Sequence, residues 1–453
     1  MSHVLDQVKK THKEEKISFL ILNLKKKLII NLIYFIFYYL NNAREDTGRD
    51  FLNSKILALA ISDSKETNYN LVDSISATTT NENCIVVLNR TNFYSEGGGQ
   101  IGDKGKLISE DDQGGEISFQ VNSTINLLNY TLHVGKFESK SYQQKLAIGD
   151  EVMCKIDAEK RYSTSLNHTG VHILNHSLRS YFKNENSIRQ TSSLVRDNLF
   201  KFEFSFTNSL EQLNINDLIS IQRGCNQLIQ KNLPVYSIEN VVVDTDLDTL
   251  GECLNYPLRK LSDVLYPIKL RIVSIGKAWN EFQKKVFNST REHNHNHQDY
   301  SAELCCGTHA TQTGLLKKIL IRNFEIVGDS NFLLECCTSK RALEMEENDK
   351  KALAYLDKII KLHSQINESK FTLDTLKILE RISRISIDIE KLFQSKNVSY
   401  LTLHHVKAES EKYRPSKAKL MSVLLKYIDD ELSKYPNDLV QLADIKGELL
   451  NGV

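Results

Sequence analysis

Two short stretches far apart in the chain carry paired metal-ligand side chains. One is His168-Thr169-Gly170-Val171-His172 and the other is Cys305-Cys306-Gly307-Thr308-His309. On a helix, ligands four residues apart lie on one face, one turn from each other. Three imidazoles and one thiolate make a four-ligand set suited to Zn2+. A metal held by segments so distant in sequence implies a site assembled by the fold, and such sites often carry out hydrolysis. Either pair alone has a plainer reading, because most single histidines are surface or core residues.

The elements that must position these residues can be read from periodicity. From Asn167 to Phe182, the apolar residues Val171, Leu174, Leu178 and Phe182 recur at helical spacing, which puts the histidine pair beside a buried stripe near the helix start. His176 continues the same row and reads as a buried or half-buried imidazole. Upstream, strands are expected at Cys84–Leu88, Glu116–Val121, Leu128–Val134 and Glu151–Ile156. Gly97-Gly98-Gly99 marks a break. It is either a tight turn packed under the metal helix or a backbone cradle near a ligand, and with no Gly-Lys-Ser/Thr after it, it is not a P-loop. Downstream, Phe200, Phe202, Phe204 and Phe206 alternate at period two over Leu199–Phe206, a half-buried strand whose rings favour core packing over base stacking. A helix is expected over Ser209–Asn232, with strands over Val235–Val243 and Ile268–Ser274.

The C-terminal part reads as helical. Arg341–Ile366 and Leu373–Phe393 carry Leu and Ile at near-heptad spacing with interleaved Lys and Glu, a helical arm or coiled coil. Its apolar faces either pack on their own domain or serve dimerisation or contact with a partner. Met421–Asp444 adds a further helix. His293, His295 and His297 alternate in a polar stretch that reads as an exposed loop rather than a metal site.

Composition limits the rest. The 453 residues allow two or three domains. A net charge of +1 provides no global field toward nucleic acid, so RNA binding would need local basic patches. The eight cysteines form no small-domain disulfide pattern, which suits a reducing compartment such as cytoplasm or mitochondrial matrix. The first eighty residues differ in character. Their apolar run Leu28–Leu40 is shorter than the roughly 20 residues that span a bilayer, and no small-residue cleavage site follows it. It reads as a buried helix or a divergent end, with a membrane or targeting element as the alternative.

The motifs together resemble a known family. "HTGVHILNHSLR" and "SAELCCGTHATQTG" resemble the two metal-binding blocks of the alanyl-tRNA synthetase editing domain. "TNFYSEGGGQIGDKG" resembles its glycine-rich segment, and "QTSSLVRDNLFKFEFSF" the turn and strand after the metal helix. "KNLPVYSIE" and "IKLRIVSIG" fit more loosely, and the match runs from about residue 80 to 345. The resemblance implies an α+β fold: a zinc-containing editing domain of the threonyl/alanyl-tRNA synthetase second additional domain type, after a small β-rich subdomain and before a helical arm. The expected boundaries are 1–80 for the divergent segment, 81–160 for the β-rich glycine-motif subdomain, 161–345 for the editing domain and 346–453 for the arm.

The resemblance also implies a function. Zn2+ would be held by His168, His172, Cys305 and His309. The reaction would be hydrolysis of the ester in Ser- or Gly-tRNA(Ala), so the partners are tRNA(Ala) and mischarged aminoacyl-tRNA, with a homodimer through the arm and no membrane. Cys305 is the ligand expected to leave the metal if zinc is catalytic. Gln190 is expected to hold the water or the substrate ester, and Thr169 to hydrogen-bond the wrong amino acid. Three departures stand out. Val171 replaces a common Thr, Cys306 a common Gly, and Ser192 a common Gly. No ATP-binding synthetic core is recognisable before residue 80. The chain therefore reads as part of an alanine–tRNA ligase, with a free-standing trans-editing deacylase and a non-catalytic zinc-stabilised tRNA-binding or dimerising module as alternatives.

Overall fold

The computed structural model describes residues 44–45, 50–62, 69–77, 83–127, 130–138, 144–183, 188–207, 213–242, 258–259, 269–278, 301–328, 331–366 and 373–413. The apolar run Leu28–Leu40, the alternating histidines 293, 295 and 297, and the helix expected over Met421–Asp444 lie outside these residues. The chain divides into two compact units, Met1–Thr207 with Leu228–Leu316, and Asn208–Gln227 with Lys317–Val453. Strands and helices are mixed in it, an α+β fold with a β-rich N-terminal region. No helix among the described residues is long and apolar enough to cross a membrane.

The first unit is built on a closed antiparallel barrel. Its strands are β1 (Phe51–Ser62), β2 (Cys84–Leu88), β3 (Gly105–Glu110), β4 (Glu116–Leu127), β5 (Tyr130–Phe137) and β6 (Glu151–Ile156). The order is β6-β3-β4-β5-β2-β1, and β6 returns to β1 with Met153 opposite Asn53 and Cys154 opposite Leu52. Closure is possible because β1 is long: its first half pairs with β6 and its second half with β2 and with Tyr69–Val72. Alternation along the strands fills the interior with Leu52, Ile56, Val86, Leu88, Phe93, Leu107, Phe119, Val121, Val152 and Cys154. β2 is buried along its whole length because its alternate residues Ile85 and Val87 join Ala58, Ala60, Leu132 and Val134 in a second apolar cluster. The barrel sheet thus takes in Phe51–Ser62 and Tyr69–Val72, which precede the boundary expected at 80. The strand expected over Leu128–Val134 is observed as Tyr130–Phe137, and Gly105–Glu110 is a strand not anticipated from sequence.

The segment 91–104 leaves the barrel and carries the three glycines. Gly97 and Gln100 exchange backbone hydrogen bonds at 3.1 and 2.9 Å, so this is a tight turn. Gly98 and Gly99 have φ of 56° and 83°, in the left-handed region where a side chain is disfavoured. The turn is fastened to the hairpin of β7 (Ile188–Val195) and β8 (Phe200–Phe206): Val195 N–H donates to Gly99 O at 2.7 Å, and Ile101 N–H donates to Val195 O at 3.1 Å. The Phe side chains 200, 202, 204 and 206 are all buried.

Helix α1 (Ala158–Phe182) begins directly after β6. Asp157 caps it by accepting from Lys160 N–H at 3.1 Å. It starts more than two turns before the expected Asn167, because its first turns are polar and exposed and carry no apolar period. Arg161 ties this end to the barrel. Its guanidinium grips Asp103 through Nε (2.9 and 2.8 Å) and Nη2, and donates to Asn92 O at 2.8 Å. From Thr164 to Leu178 the helix is buried all round, so His168 and His172 lie in its middle.

The last sheet of this unit is β9 (Val235–Val242), β10 (Lys269–Ile275) and β11 (Ser301–Leu304), in that order. In the second unit, β12 (Ile319–Val327) pairs with β13 (Asn331–Thr338). Helix α2 (Ile215–Gln230), expected over Ser209–Asn232, offers Gln222 and Asn226, which accept from Ile321 and Ile319 N–H at 2.8 and 2.9 Å. Helices α3 (Ser339–His363), α4 (Leu373–Gln394) and α5 (Tyr400–Tyr413) bury Ala352, Leu356, Ile359, Ile382, Ile389 and Val406 against one another. The near-heptad faces of the arm are thus largely used within it.

Candidate metal centre

Four ligand-type side chains converge in the first unit. His168 and His172 come from α1; Cys305 and His309 come from the turn after β11. One ligand atom from each lies within 4.8 Å of all the others. Cys305 Sγ is 3.3 Å from both His168 Nε2 and His309 Nε2. Bonds of about 2.0–2.3 Å to a tetrahedral ion would give ligand–ligand edges of roughly 3.3–3.7 Å, so those two contacts match edges of such a site. The first pair sits on a helix as its spacing implies. The second does not: Cys305–Ala310 is an irregular turn whose chain direction is set by contacts.

Those contacts can be traced. Arg271 on β10 donates to Cys305 O at 2.9 Å and to Gly307 O at 2.8 Å, and Cys305 N–H donates back to Arg271 O at 3.2 Å. Gly307 passes so close to α1 that a Cβ there would fall on the Cε1 and Nδ1 atoms of His168. Gly307 N–H points at Cys305 Sγ, 3.4 Å away.

Each imidazole has a polar group behind it on the Nδ1 side. Gln100 Oε1 lies 2.6 Å from His168 Nδ1. Thr169 Oγ1 lies 3.3 Å from His309 Nδ1. Glu303 Oε2 lies 3.6 Å from His172 Nδ1, which has no hydrogen-bond partner among the described residues. This arrangement leaves the Nε2 lone pairs for the shared space, the way metal-binding histidines are oriented. Glu303 is held by Arg259 at 3.3 Å, Ser301 Oγ at 3.1 Å and Asn175 Nδ2 at 3.2 Å.

The electrostatics agree with a ligand role. Burial pushes His168 and His309 well below the usual imidazole range, and neighbouring imidazoles push the same way. His172 is also lowered by burial, with Glu303 opposing. Burial alone would raise the Glu303 carboxyl, but His172, Arg259 and Arg179 outweigh it and hold it low. Burial pushes the Cys305 thiol up to about 12 in the absence of an ion. The histidines are therefore neutral lone-pair donors. A single S–H cannot satisfy two lone pairs at 3.3 Å, whereas a divalent cation would satisfy all of them and draw the proton off sulfur. The cluster could hold a metal ion.

The other residues singled out from sequence are placed as follows. Thr169 is buried; its hydroxyl donates to Ser165 O at 3.0 Å and accepts from Ala310 N–H at 3.0 Å, besides facing His309. Its bonding capacity is used inside the protein, so it supports the His309 ring rather than offering a free group to substrate. Gln190 is half-buried on β7 at a bulge, opposite Phe204, and no hydrogen bond joins its side chain to the cluster among the described residues. His176 is buried, with Nδ1 3.1 Å from Arg259. Cys306 is exposed and outside the cluster. Gln100 was missed by the sequence reading; its position right after three glycines was the available signal.

Comparison with known proteins agrees with the fold. Residues 40–160, which span the barrel and the first turn of α1, match the family model described as tRNA synthetases class II (A). The chain is similar to the cytoplasmic alanine–tRNA ligase of Drosophila melanogaster, 27% identical over 379 residues, covering 84% of this chain and 34% of the relative. It is 25% identical over 388 residues to the alanine–tRNA ligase of Wigglesworthia glossinidia brevipalpis, covering 85% of this chain and 38% of that protein. The mitochondrial alanine–tRNA ligase of Saccharomyces cerevisiae is 29% identical over 286 residues, 63% of this chain and 26% of that protein. The chain thus spans well under half the length of the curated relatives it matches. These matches, together with the ordered motifs, support a member of the alanyl-tRNA synthetase family.

Proposed function

We propose that this chain carries the editing activity of an alanine–tRNA ligase, removing serine or glycine wrongly esterified to tRNA(Ala). The observation that carries the reading is the convergence of His168, His172, Cys305 and His309 from segments well separated in sequence. The donor set is the one zinc prefers, and the ion when bound would supply Lewis-acid help to the ester or orient the substrate amine. The two helix histidines are buried, whereas Cys305 and His309 are only half-buried, so substrate would approach on the Cys305–His309 side. Cys305 is then the ligand best placed to give way. Thr169 holds the His309 ring in orientation. Gln190 at the β7 bulge is the residue we assign to the ester or the water. Val171, one position before His172, provides no hydroxyl for a serine side chain, which lowers the discrimination this pocket can reach.

The partners are tRNA(Ala) and its mischarged forms. A homodimer through the arm is supported by Leu343, Leu353 and Ile360, large apolar side chains left exposed on α3. The similar proteins include both a cytoplasmic and a mitochondrial alanine–tRNA ligase, and we place this chain in one of those two compartments. Whether the same editing site works in cis within a ligase or in trans does not change its chemistry.

One observation favours a second reading. Four protein ligands fill a tetrahedral shell, as in structural sites. The centre would then stabilise a non-catalytic tRNA-binding module. The test is loss of labelled serine from Ser-tRNA(Ala), with Ala-tRNA(Ala) as the spared control, for the parent chain, Gln190→Ala and Cys305→Ala. The editing reading expects turnover by the parent and a large loss in both variants. A parent chain that binds zinc yet matches the no-enzyme rate would leave the module reading in its place.

A further inference from the structure

Gln100 reaches from the glycine turn of the barrel segment into the metal centre, and its side chain is completely buried. Its Oε1 accepts from Thr308 N–H at 2.9 Å and faces His168 Nδ1 at 2.6 Å. The Thr308 contact identifies the oxygen end of the amide, because a backbone N–H can only donate. His168 Nδ1 must then carry the hydrogen, and Nε2 keeps its lone pair toward Cys305 Sγ, 3.3 Å away. The amide nitrogen of Gln100 donates to Thr308 Oγ1 at 2.9 Å, and that hydroxyl is 2.7 Å from Ser165 Oγ on α1. One side chain therefore touches both halves of the centre, the helix that carries His168 and the turn that carries Cys305 and His309. Of the three imidazoles, His168 has the shortest contact behind it.

We propose that Gln100 is a positioning residue for the metal centre: its carboxamide oxygen locks His168 in the Nδ1–H form while its contacts to Thr308 set the Cys305–His309 turn against α1. The proposal rests on the metal reading given above. Groups behind a metal-binding histidine are typically worth 10–100-fold in metal affinity.

The experiment uses the full chain with zinc and with cobalt(II). Zinc affinity is measured by chelator competition for the parent, Gln100→Leu, Gln100→Asn and Gln100→Glu. Leu removes the acceptor, Asn withdraws it by one methylene, and Glu keeps an acceptor at the same reach. The expected result is a roughly 10–100-fold loss for Leu and Asn, with Glu close to the parent. In the cobalt-loaded chain, each imidazole bound through Nε2 gives an exchangeable, paramagnetically shifted Nδ1–H signal. The His168 signal should exchange faster in the Leu and Asn variants and persist in Glu, which a mere packing role would not produce. Should Leu fail to fold, Asn and Glu carry the same contrast. Parent-like affinity and unchanged signals in Leu or Asn, or a loss in Glu equal to theirs, would overturn the proposal. A parent chain that takes up no zinc would overturn the metal reading itself, a result visible before any variant is made.

Discussion

Acidification should weaken the barrel through one residue, His133 on β5. Its ring is fully buried, with Nδ1 3.0 Å from Val86 O and Nε2 2.8 Å from Thr91 Oγ1. A carbonyl only accepts, so Nδ1 carries the hydrogen and Nε2 takes the Thr91 hydroxyl proton, while Phe93 N–H donates to Thr91 Oγ1 at 3.1 Å. Burial lowers the pKa from 6.5 to about 4, against a smaller upward pull from the Val86 carbonyl. The unfolded chain keeps the ordinary value, so between pH 6.5 and about 4 it binds more protons than the folded chain does. Stability therefore rises with pH across that window. Above it both states are neutral and the penalty is zero; as pH falls through it the penalty grows, and below it the full cost is reached. At about 1.4 kcal/mol per pH unit the full cost is about 3 kcal/mol. Native-state amide exchange of peptides covering β2 and β5 at pH 7, 5.5 and 4.5, corrected for intrinsic rates, would measure it. The comparison is His133→Gln, which can donate to Val86 O and accept from Thr91 without titrating. The parent should lose about 2–3 kcal/mol more protection than the variant over this range. Parallel pH profiles for the two, or a His133 titration midpoint near 6.5, would refute the reasoning.

Other perturbations bear on the site. Gly307→Ala should lower zinc affinity by tenfold or more, about 1.4 kcal/mol, because the new methyl must displace the His168 ring; chelator competition reads it. The parent should purify with about one zinc per chain by elemental analysis, and His172→Ala should lose it and melt at lower temperature. Asp103→Leu removes the carboxylate that balances the Arg161 guanidinium against the barrel and should cost about 3–5 kcal/mol in denaturant unfolding, with Arg161→Met in the same chain recovering much of it. Val171→Thr should raise selectivity for Ser-tRNA(Ala), by about 0.5–1.5 kcal/mol if the added hydroxyl meets the serine side chain; unchanged selectivity would mean the pocket lies elsewhere.

What could be read in advance follows the range of the interactions. The buried stripe of α1 and the phenylalanine alternation of β8 are local patterns, visible in any window of the chain. Strand β2 stood out as a short β-branched run with the glycine break soon after it. β1 did not, since Ser54 and Lys55 interrupt its apolar residues and its role as the closing strand depends on partners that lie 23 to 104 positions away. The spacing of Cys305 and His309 looked helical but is produced by a turn pinned by Arg271. For Gln100 the three preceding glycines mark a turn but not its partners, because His168 and Thr308 are 68 and 208 residues distant and no local period encodes them. Thr169, expected from the resemblance to hydrogen-bond the wrong amino acid, bonds Ser165 and Ala310, contacts that only the three-dimensional arrangement could reveal.

The separation of 137 positions between His168 and Cys305 has a consequence for biosynthesis. At translation rates of about 5–20 residues per second, the helix histidines leave the ribosome roughly 7–30 s before the turn that completes their site. During that interval a nascent chain can offer an ion only two imidazoles, a weak and exchangeable grip. Four ligands would be in place only when β10, which aims the turn through Arg271, has joined its sheet. On the metal reading proposed above, uptake would be a late event that certifies a finished domain, and a chain starved of the ion or stalled before residue 305 would present quality control with an α1 whose polar interior is still unsatisfied.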